Sequence, residues 1–286
     1  MTTTPLRLMV IAAHPDDETM GFGGVLARYA SEGVETSLVV ATRGDRGKYR
    51  GHAMDSPEHP GRERLAQLRE QELRRACAVL GIRDLSILDY DDQQLDTSDV
   101  RPAIATIVRH IRRVRPHVVL TFAPDGSYGH PDHIAISQWA TAAIVAAADA
   151  QFAHAGTDQL GAAHTVQKLY FIAWDEETWA AYRAVFKKLV SMVDGVERQA
   201  TAWPAWTLTT TIDTRAWAST VRDALACHQS QMAPLQALKP KEFDALLTTQ
   251  SFYRAFSLVN GGRHRESDLF EGFETDRLSH TERKHR

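Results

Sequence analysis

The stretch Leu6–Gly24, LRLMVIAAHPDDETMGFGG, decides how the chain is read. It opens with LRLMVIAA, a short and nearly continuous apolar run. Such a run reads as a buried strand of a parallel sheet. The charged HPDDE follows at once. Gly21 to Glu32 then reads as a helix, with Phe22, Val25, Leu26 and Tyr29 at helical spacing and Gly33 as its stop. Strand, polar turn and helix in this order open an α/β fold.

The alternation continues outward. Thr36 to Ala41 reads as a second strand, and the polar segment Thr42 to Gly61 as a long loop. Arg64 to Leu80 carries an apolar stripe of Leu65, Leu68, Leu73, Ala76, Val79 and Leu80, closed by Gly81. Leu85 to Leu88 is a third strand. Val100 to Val114 is a helix capped by Ser98 or Asp99, and His117 to Phe122 is a fourth strand. A polar loop, Ala123 to Asp132, leads into an Ala-rich helix over His133 to Ala148, and Val166 to Ala173 is a fifth strand. Strands alternating with helices predict a mostly parallel sheet flanked by helices, with right-handed crossovers. Further along, Leu208 to Ile212 and Phe252 to Val259 read as strands and Ala216 to His228 as a helix. They look like additions to the same unit, because no linker-like stretch precedes them. Residues 1–273 are therefore expected to form a single domain, with 274–286 a polar, mobile tail.

Composition narrows the function. The chain has 286 residues, 43% hydrophobic and 24% charged, which is enough to bury a sizeable core. Lys plus Arg total 33 against 36 Asp plus Glu, so the basic excess of a nucleic-acid binder is missing. No run approaches the ~20 apolar residues of a membrane span, and the N-terminus lacks a signal-peptide pattern. Cys77 and Cys227 fit neither a disulfide framework nor a Cys-rich zinc site and are expected to be reduced. The cytoplasm is the expected location. The outlier is histidine, with 13 copies. Histidine ligates metals and moves protons near neutral pH.

Two segments concentrate this chemistry. His14-Pro15-Asp16-Asp17-Glu18 follows the first strand, and Tyr128-Gly129-His130-Pro131-Asp132-His133 follows the fourth. In doubly wound sheets ligands bind beyond the carboxyl ends of the strands, where strand order reverses. With the order 3-2-1-4-5, strands one and four are neighbours there and the two segments share a crevice. A catalytic zinc takes three protein ligands and leaves room for water. His14, Asp17 and His133 would supply two imidazoles and a carboxylate. Asp16 would then be free as general base. His130, as an imidazolium, would stabilise an oxyanion or protonate a leaving amine, with Asp132 orienting that ring.

These two segments resemble the paired signatures of the LmbE-like, or PIG-L-type, zinc de-N-acetylases, which remove acetyl groups from N-acetylglucosamine conjugates. The resemblance runs from about Arg7 to Thr141. It implies a Rossmann-like sheet, one Zn2+ per chain on His14, Asp17 and His133, and Asp16 as base. It also implies that Arg69, in an Arg-x-x-Glu helix with Glu72, reaches the substrate, that Asp92 contacts sugar hydroxyls, and that Tyr128 lies near the scissile carbonyl. Gly44-Asp45-Arg46-Gly47, Ala226-Cys227-His228-Gln229-Ser230-Gln231 and Ser267-Asp268-Leu269-Phe270 resemble further family segments.

The function expected is thus hydrolysis of the N-acetyl amide of an amino-sugar conjugate, a small-molecule partner; a homo-oligomer is compatible with the chain. Two alternatives stand beside it. One keeps the metal but cleaves a larger amide in a thiol conjugate. The other is a non-catalytic Rossmann-like binding protein, against which the intact set of His14, Asp16, Asp17, His130, Asp132 and His133 speaks. A dinucleotide reading of Gly21-Phe22-Gly23-Gly24 fails because position 26 is Leu26 and the preceding acids would repel a pyrophosphate. Outside the two segments, Glu18 is expected to satisfy helix-terminal N–H groups. Trp203 and Trp206 are candidates for a wall of the site. His52, His59, His110, His117, His154, His164, His280 and His285 read as ordinary surface or loop residues.

Overall fold

The computed structural model describes residues 5–153, 160–186, 190–193, 196–199, 201–231 and 246–273. The expected tail at 274–286, with His154, His280 and His285, lies outside them. In chain order the elements are β1 (Arg7–Ala12), α1 (Asp17–Met20), α2 (Gly23–Ser31), β2 (Glu35–Thr42), α3 (Arg62–Leu80), β3 (Asp84–Tyr90) and α4 (Val100–Val114). There follow β4 (Val118–Phe122), α5 (Gly126–Gly129), α6 (Pro131–Ala148), β5 (Lys168–Ile172), α7 (Glu176–Phe186), β6 (Ser191–Val193) and β7 (Val196–Arg198). The last are β8 (Thr210–Asp213), α8 (Ala218–Leu225) and β9 (Thr249–Ser257).

Seven strands form one sheet in the order β3-β2-β1-β4-β5-β9-β8, while β6 and β7 make a separate hairpin. Strands β1 to β5 are parallel, and β9 and β8 add antiparallel at one edge. Leu8 to Ala13 have no exposed surface, as a central strand covered on both faces requires. The expected neighbourhood holds: β1 and β4 pair through Leu8–Val118, Met9–Val119 and Val10–Leu120. Their carboxyl ends release His14 and the 123–133 loop side by side.

Three boundaries differ instructively. The helix expected from Gly21 is α2, starting at Gly23, and a separate turn, α1, precedes it because Asp16 and Asp17 start a turn of their own. Helix α6 starts two residues early, with Pro131 at a position where its missing N–H costs nothing and His130 as N-cap. Helix α8 ends at Leu225, so His228 lies beyond it and turns inward. Helix α7 and the β6–β7 hairpin carried no readable pattern. His164 is buried rather than on the surface, with its Nε2 2.8 Å from the Pro116 carbonyl oxygen. Among the described residues no helix is long and apolar enough to cross a membrane. Both cysteines are free, Cys77 buried and Cys227 half-buried.

Candidate active site

The HPDDE segment folds onto Asp17. Its Oδ2 accepts the N–H groups of Ala13 (3.1 Å) and His14 (2.7 Å), closing a tight turn at the end of β1. From the other side, α6 presents His133. The ring stacks on Phe122 with centroids 3.8 Å apart and planes 8° from parallel. Three buried donor atoms then converge. His133 Nε2 is 3.3 Å from His14 Nδ1 and 3.4 Å from Asp17 Oδ1, and His14 Nδ1 is 3.7 Å from Asp17 Oδ2.

This donor set fits a zinc ion. Zinc–nitrogen bonds of about 2.0–2.1 Å arranged tetrahedrally put ligand atoms about 3.3 Å apart. The opposite ring nitrogens are also engaged. His14 Nε2 faces Asp132 Oδ2 at 2.9 Å and Asp92 Oδ1 at 3.2 Å, and His133 Nδ1 faces the Gly126 carbonyl at 3.2 Å. Acceptors at those positions hold the N–H outward and leave the lone pairs of His14 Nδ1 and His133 Nε2 aimed into the triangle. A second grouping, His14, His130 and Asp132, is less suited. The Asp132 oxygens are already taken by the N–H groups of Gln93 (2.7 Å) and Leu95 (3.0 Å) and by His14.

Asp16 stands next to the triangle, with its side chain one-fifth exposed. It is held from below by Arg69, which is buried. The guanidinium donates to the Gly44 carbonyl at 2.7 Å, to the Pro15 carbonyl, and to Asp16 Oδ2 at 3.2 Å. Gly44 must be glycine here: its φ is +63°, and a Cβ would sit 2.0 Å from an Arg69 nitrogen. His130 lies over the triangle, its ring 4.8 Å from His133 and 4.9 Å from His14, and Tyr128 packs edge-on to His133 at 5.2 Å.

With this geometry in place, similarity to known proteins decides between chemistries. Residues 9–144 match the family described as PIG-L: GlcNAc-PI de-N-acetylase. A protein of Streptomyces griseus named 1D-myo-inositol 2-acetamido-2-deoxy-alpha-D-glucopyranoside deacetylase is 33% identical over 297 residues, covering 93% of this chain and 88% of its own. The chain belongs to the PIG-L family of de-N-acetylases. Among solved structures, the N,N'-diacetylchitobiose deacetylase of Pyrococcus horikoshii superposes with a TM-score of 0.63 at 18% identity, covering 87% of this chain and 83% of that one. The 4-carboxy-2-hydroxymuconate hydratase of Pseudomonas putida superposes equally well, at 0.63 and 15% identity over 90% of this chain and 99% of that one. The fold alone therefore does not select deacetylation; the sequence relationship does. This PIG-L chain is a hydrolase of the N-acetyl amide of an N-acetylglucosamine conjugate.

The electrostatics of the de-N-acetylase site separate its two aspartates. Burial raises the Asp16 carboxyl to about 6, with Arg69 pulling the other way and Asp17 adding to the rise. Burial also works against charge on Asp17, but His133 and His14 overcome it and hold that carboxyl far below the usual range. The two neighbouring carboxyls are thus pushed in opposite directions, Asp17 down and Asp16 up. At His14 burial is outweighed by Asp132, Asp92 and Asp17, which push the imidazole up to about 10 when a proton stands in for a metal.

Four expectations meet a different geometry. Asp132 orients His14, not His130, because the loop after β3 captures its carboxylate through two backbone N–H groups. His130 instead accepts the Asp132 N–H on its Nδ1 at 3.2 Å. Burial, with His14 and His133 adding to it, pushes its imidazole down to about 3, which favours a neutral ring whose Nε2–H is a hydrogen-bond donor. Asp92 is 3% exposed and faces His14 and the Arg46 N–H (2.7 Å), behind the ligand rather than at the site's opening. Arg69 reaches Asp16 and two carbonyls rather than open space. Tyr128 does lie beside His133 and His130, on the kinked α5 where Ser127 has φ +65°. Trp203 is half-buried and donates to Asp125 Oδ2 at 2.7 Å, while Trp206 is 83% exposed. Sequence reading missed the Asp132–His14 contact. The available signal was chemical: a ligand histidine needs an acceptor behind it.

Proposed function

We propose that the chain deacetylates an N-acetylglucosaminide of an inositol-like alcohol, using one zinc ion held by His14 Nδ1, Asp17 Oδ1 and His133 Nε2. The observation that carries this reading is the convergence of buried ligand atoms from His14, Asp17 and His133, all within 4.8 Å of one another, with carboxylates behind His14. The substrate class follows the 33% identical inositol-glucosaminide deacetylase of Streptomyces griseus. The two free cysteines, one buried, support a reducing compartment such as the cytoplasm.

Bound there, zinc supplies Lewis acidity toward water and the acetamide carbonyl. Asp16 takes the proton of the attacking water, a task its raised carboxyl suits. His130 Nε2–H donates to the carbonyl oxygen as negative charge develops, and Tyr128, its hydroxyl kept protonated by burial and by Asp17 and Asp16, is a second donor beside it. Because His130 is neutral, the protonated Asp16 delivers the proton that releases the amine. Asp92 and Asp132 keep His14 in the tautomer that ligates, and Arg69 holds Asp16 in place.

The test is metal analysis of the purified protein followed by a free-amine assay on N-acetylglucosamine conjugates. Close to one zinc per chain and release of the amine from the inositol conjugate are expected. Zinc without deacetylation of any glucosaminide would defeat the substrate class. His130→Ala should keep the zinc and lose about 10²–10³-fold in kcat, the usual effect of deleting one oxyanion donor. Parental activity would remove His130 from the mechanism.

A further inference from the structure

The Ala226–Gln231 segment lies beneath the site rather than in it. His228 and Glu18 have no exposed surface, and Glu18 Oε1 is 2.7 Å from His228 Nε2. The other oxygen, Oε2, accepts the backbone N–H of Asp16 at 2.9 Å. Asp16 is an unusual residue to hold. Its φ is +103° and ψ −25°, a conformation that side chains with a Cβ rarely adopt. Such backbone persists only where surrounding contacts impose it, and it concentrates at functional sites.

Those contacts can be traced outward. The Asp16 carbonyl caps α1, accepting from Thr19 (3.0 Å) and Met20 (2.9 Å). Arg69 ties the Pro15 carbonyl to the Asp16 carboxylate. Among the described residues Glu18 alone engages the Asp16 N–H, and Glu18 is braced by His228 and the Thr19 hydroxyl. The His228 segment is anchored in turn. Ser230 donates its N–H (2.9 Å) and hydroxyl (2.6 Å) to the buried Glu72, and its carbonyl accepts from Arg50 at 2.7 Å. A continuous line of buried contacts thus runs from Glu72 on α3, through Ser230, His228 and Glu18, to the backbone of Asp16.

We propose that the buried Glu18–His228 pair is the positioning device of Asp16, imposing the backbone conformation that aims its carboxylate. This rests on the reading of Asp16 as the proton acceptor. With no exposed surface, neither Glu18 nor His228 touches substrate. Their effect falls on the aim of the base, and so on kcat, while KM and metal content stay as they are. Glu18→Gln keeps the shape but leaves one oxygen where two are used, and misaiming a reacting group by a fraction of its contact distance is costly.

A double-mutant cycle with Asp16→Asn tests the proposal. Glu18→Gln should lower kcat about 10–100-fold with KM and zinc per chain unchanged. In the Asp16→Asn background the same substitution should cost less than about two-fold, because there is no base left to aim. In the metal-free protein, Glu18→Gln should also speed hydrogen exchange at the Asp16 amide. His228→Gln is read in the same way where Glu18→Gln unfolds at the assay temperature. Equal losses in both backgrounds, a change in KM alone, or an unchanged kcat would overturn the proposal. Parental activity of Asp16→Asn by itself would instead overturn the assignment of the base.

Discussion

Around Glu266 and around His14 the same sheet buries comparable sets of charge, and the two differ in where their lone pairs end. Glu266 is 1% exposed and receives five donors. Its Oε1 takes Lys168 Nζ (2.7 Å), Asn260 Nδ2 (2.7 Å) and Arg254 (2.8 Å), and its Oε2 takes the hydroxyls of Tyr170 and Thr210 (both 2.7 Å). That cluster is closed; every lone pair of the carboxylate meets a proton. Around His14 the outward nitrogens and carboxylates are satisfied in the same way, but three inward atoms point at one another. A closed cluster holds the antiparallel edge, β8 and β9, onto β5. An open one at the ends of β1 and β4 is a place for a cation. Burial of polar groups does not by itself mark a site, whereas metal-ligating atoms that converge on one point, with acceptors behind them, do.

Substitutions should separate the two clusters. The largest effect is expected at the open one. Asp17→Ala or His133→Ala leaves two protein ligands, so the protein should be isolated without zinc and deacetylation should fall below detection. Metal analysis and the amine assay on the same preparations check this, and full zinc occupancy in both variants would break the comparison. At the closed cluster Glu266→Ala strands Lys168 in the interior, and a loss of about 3–5 kcal/mol in unfolding free energy is expected. Zinc affinity of the protein that remains folded should not change. Urea unfolding and zinc titration measure the two quantities independently.

Smaller effects sharpen the contrast. Asp132→Asn weakens the acceptor behind His14 and should lower zinc affinity by about 10–100-fold, read by competition with a chelator. If Asp132 instead serves His130, affinity stays and only kcat drops. The smallest effect is in acid. Burial opposes charge on Glu266, but Lys168, Asn260, Tyr170 and Thr210 hold its carboxyl at about 2 against an ordinary 4.5. A carboxyl depressed by folding contributes stability in full above the unfolded value and loses it as pH falls toward the folded one. The urea midpoint of the parent should therefore drop between pH 4.5 and 2 more steeply than that of Glu266→Gln. Parallel curves would show that the cluster is not held by charge.

The parallel half of the sheet was legible because buried parallel strands are near-continuous apolar runs, as in LRLMVIAA and HVVLTF, and the motifs follow them directly. The order 3-2-1-4-5 is that of the doubly wound arrangement and not of the apolar pattern, and the observed order β3-β2-β1-β4-β5 matches it, so residues 14 and 133 meet. The antiparallel edge was harder to bound. Strand β9 starts at Thr249, three residues before its apolar core, because its pairing with β8 is polar along Thr211–Ser251 and Asp213–Thr249. In the site, residue types and ligand spacing were readable, but the direction of a side chain across a loop was not. Asp132 sits two residues from His130 in sequence, yet the N–H groups of Gln93 and Leu95 draw its carboxylate toward His14. Arg69 looked like a helix-surface charge beyond the family match, and it is buried because three acceptors from two loops meet over it. Helix α7 gave no signal, since its apolar residues, Trp179 and Tyr182 among them, pack partly on Trp174 and not on one continuous face.

One detail of the HPDDE turn bears on which cation the site prefers. Asp17 spends its Oδ2 on the Ala13 and His14 amides, so only Oδ1 remains to give. The denticity of this carboxylate is therefore fixed by the backbone before any ion arrives. Calcium seeks six to eight oxygens, often with carboxylates gripping through both atoms, and magnesium keeps near-octahedral oxygen company. Two imidazole nitrogens and a single oxygen offer neither. Through the peptide groups it commits, the turn that closes β1 would disfavour those ions and favour the borderline-soft transition metals.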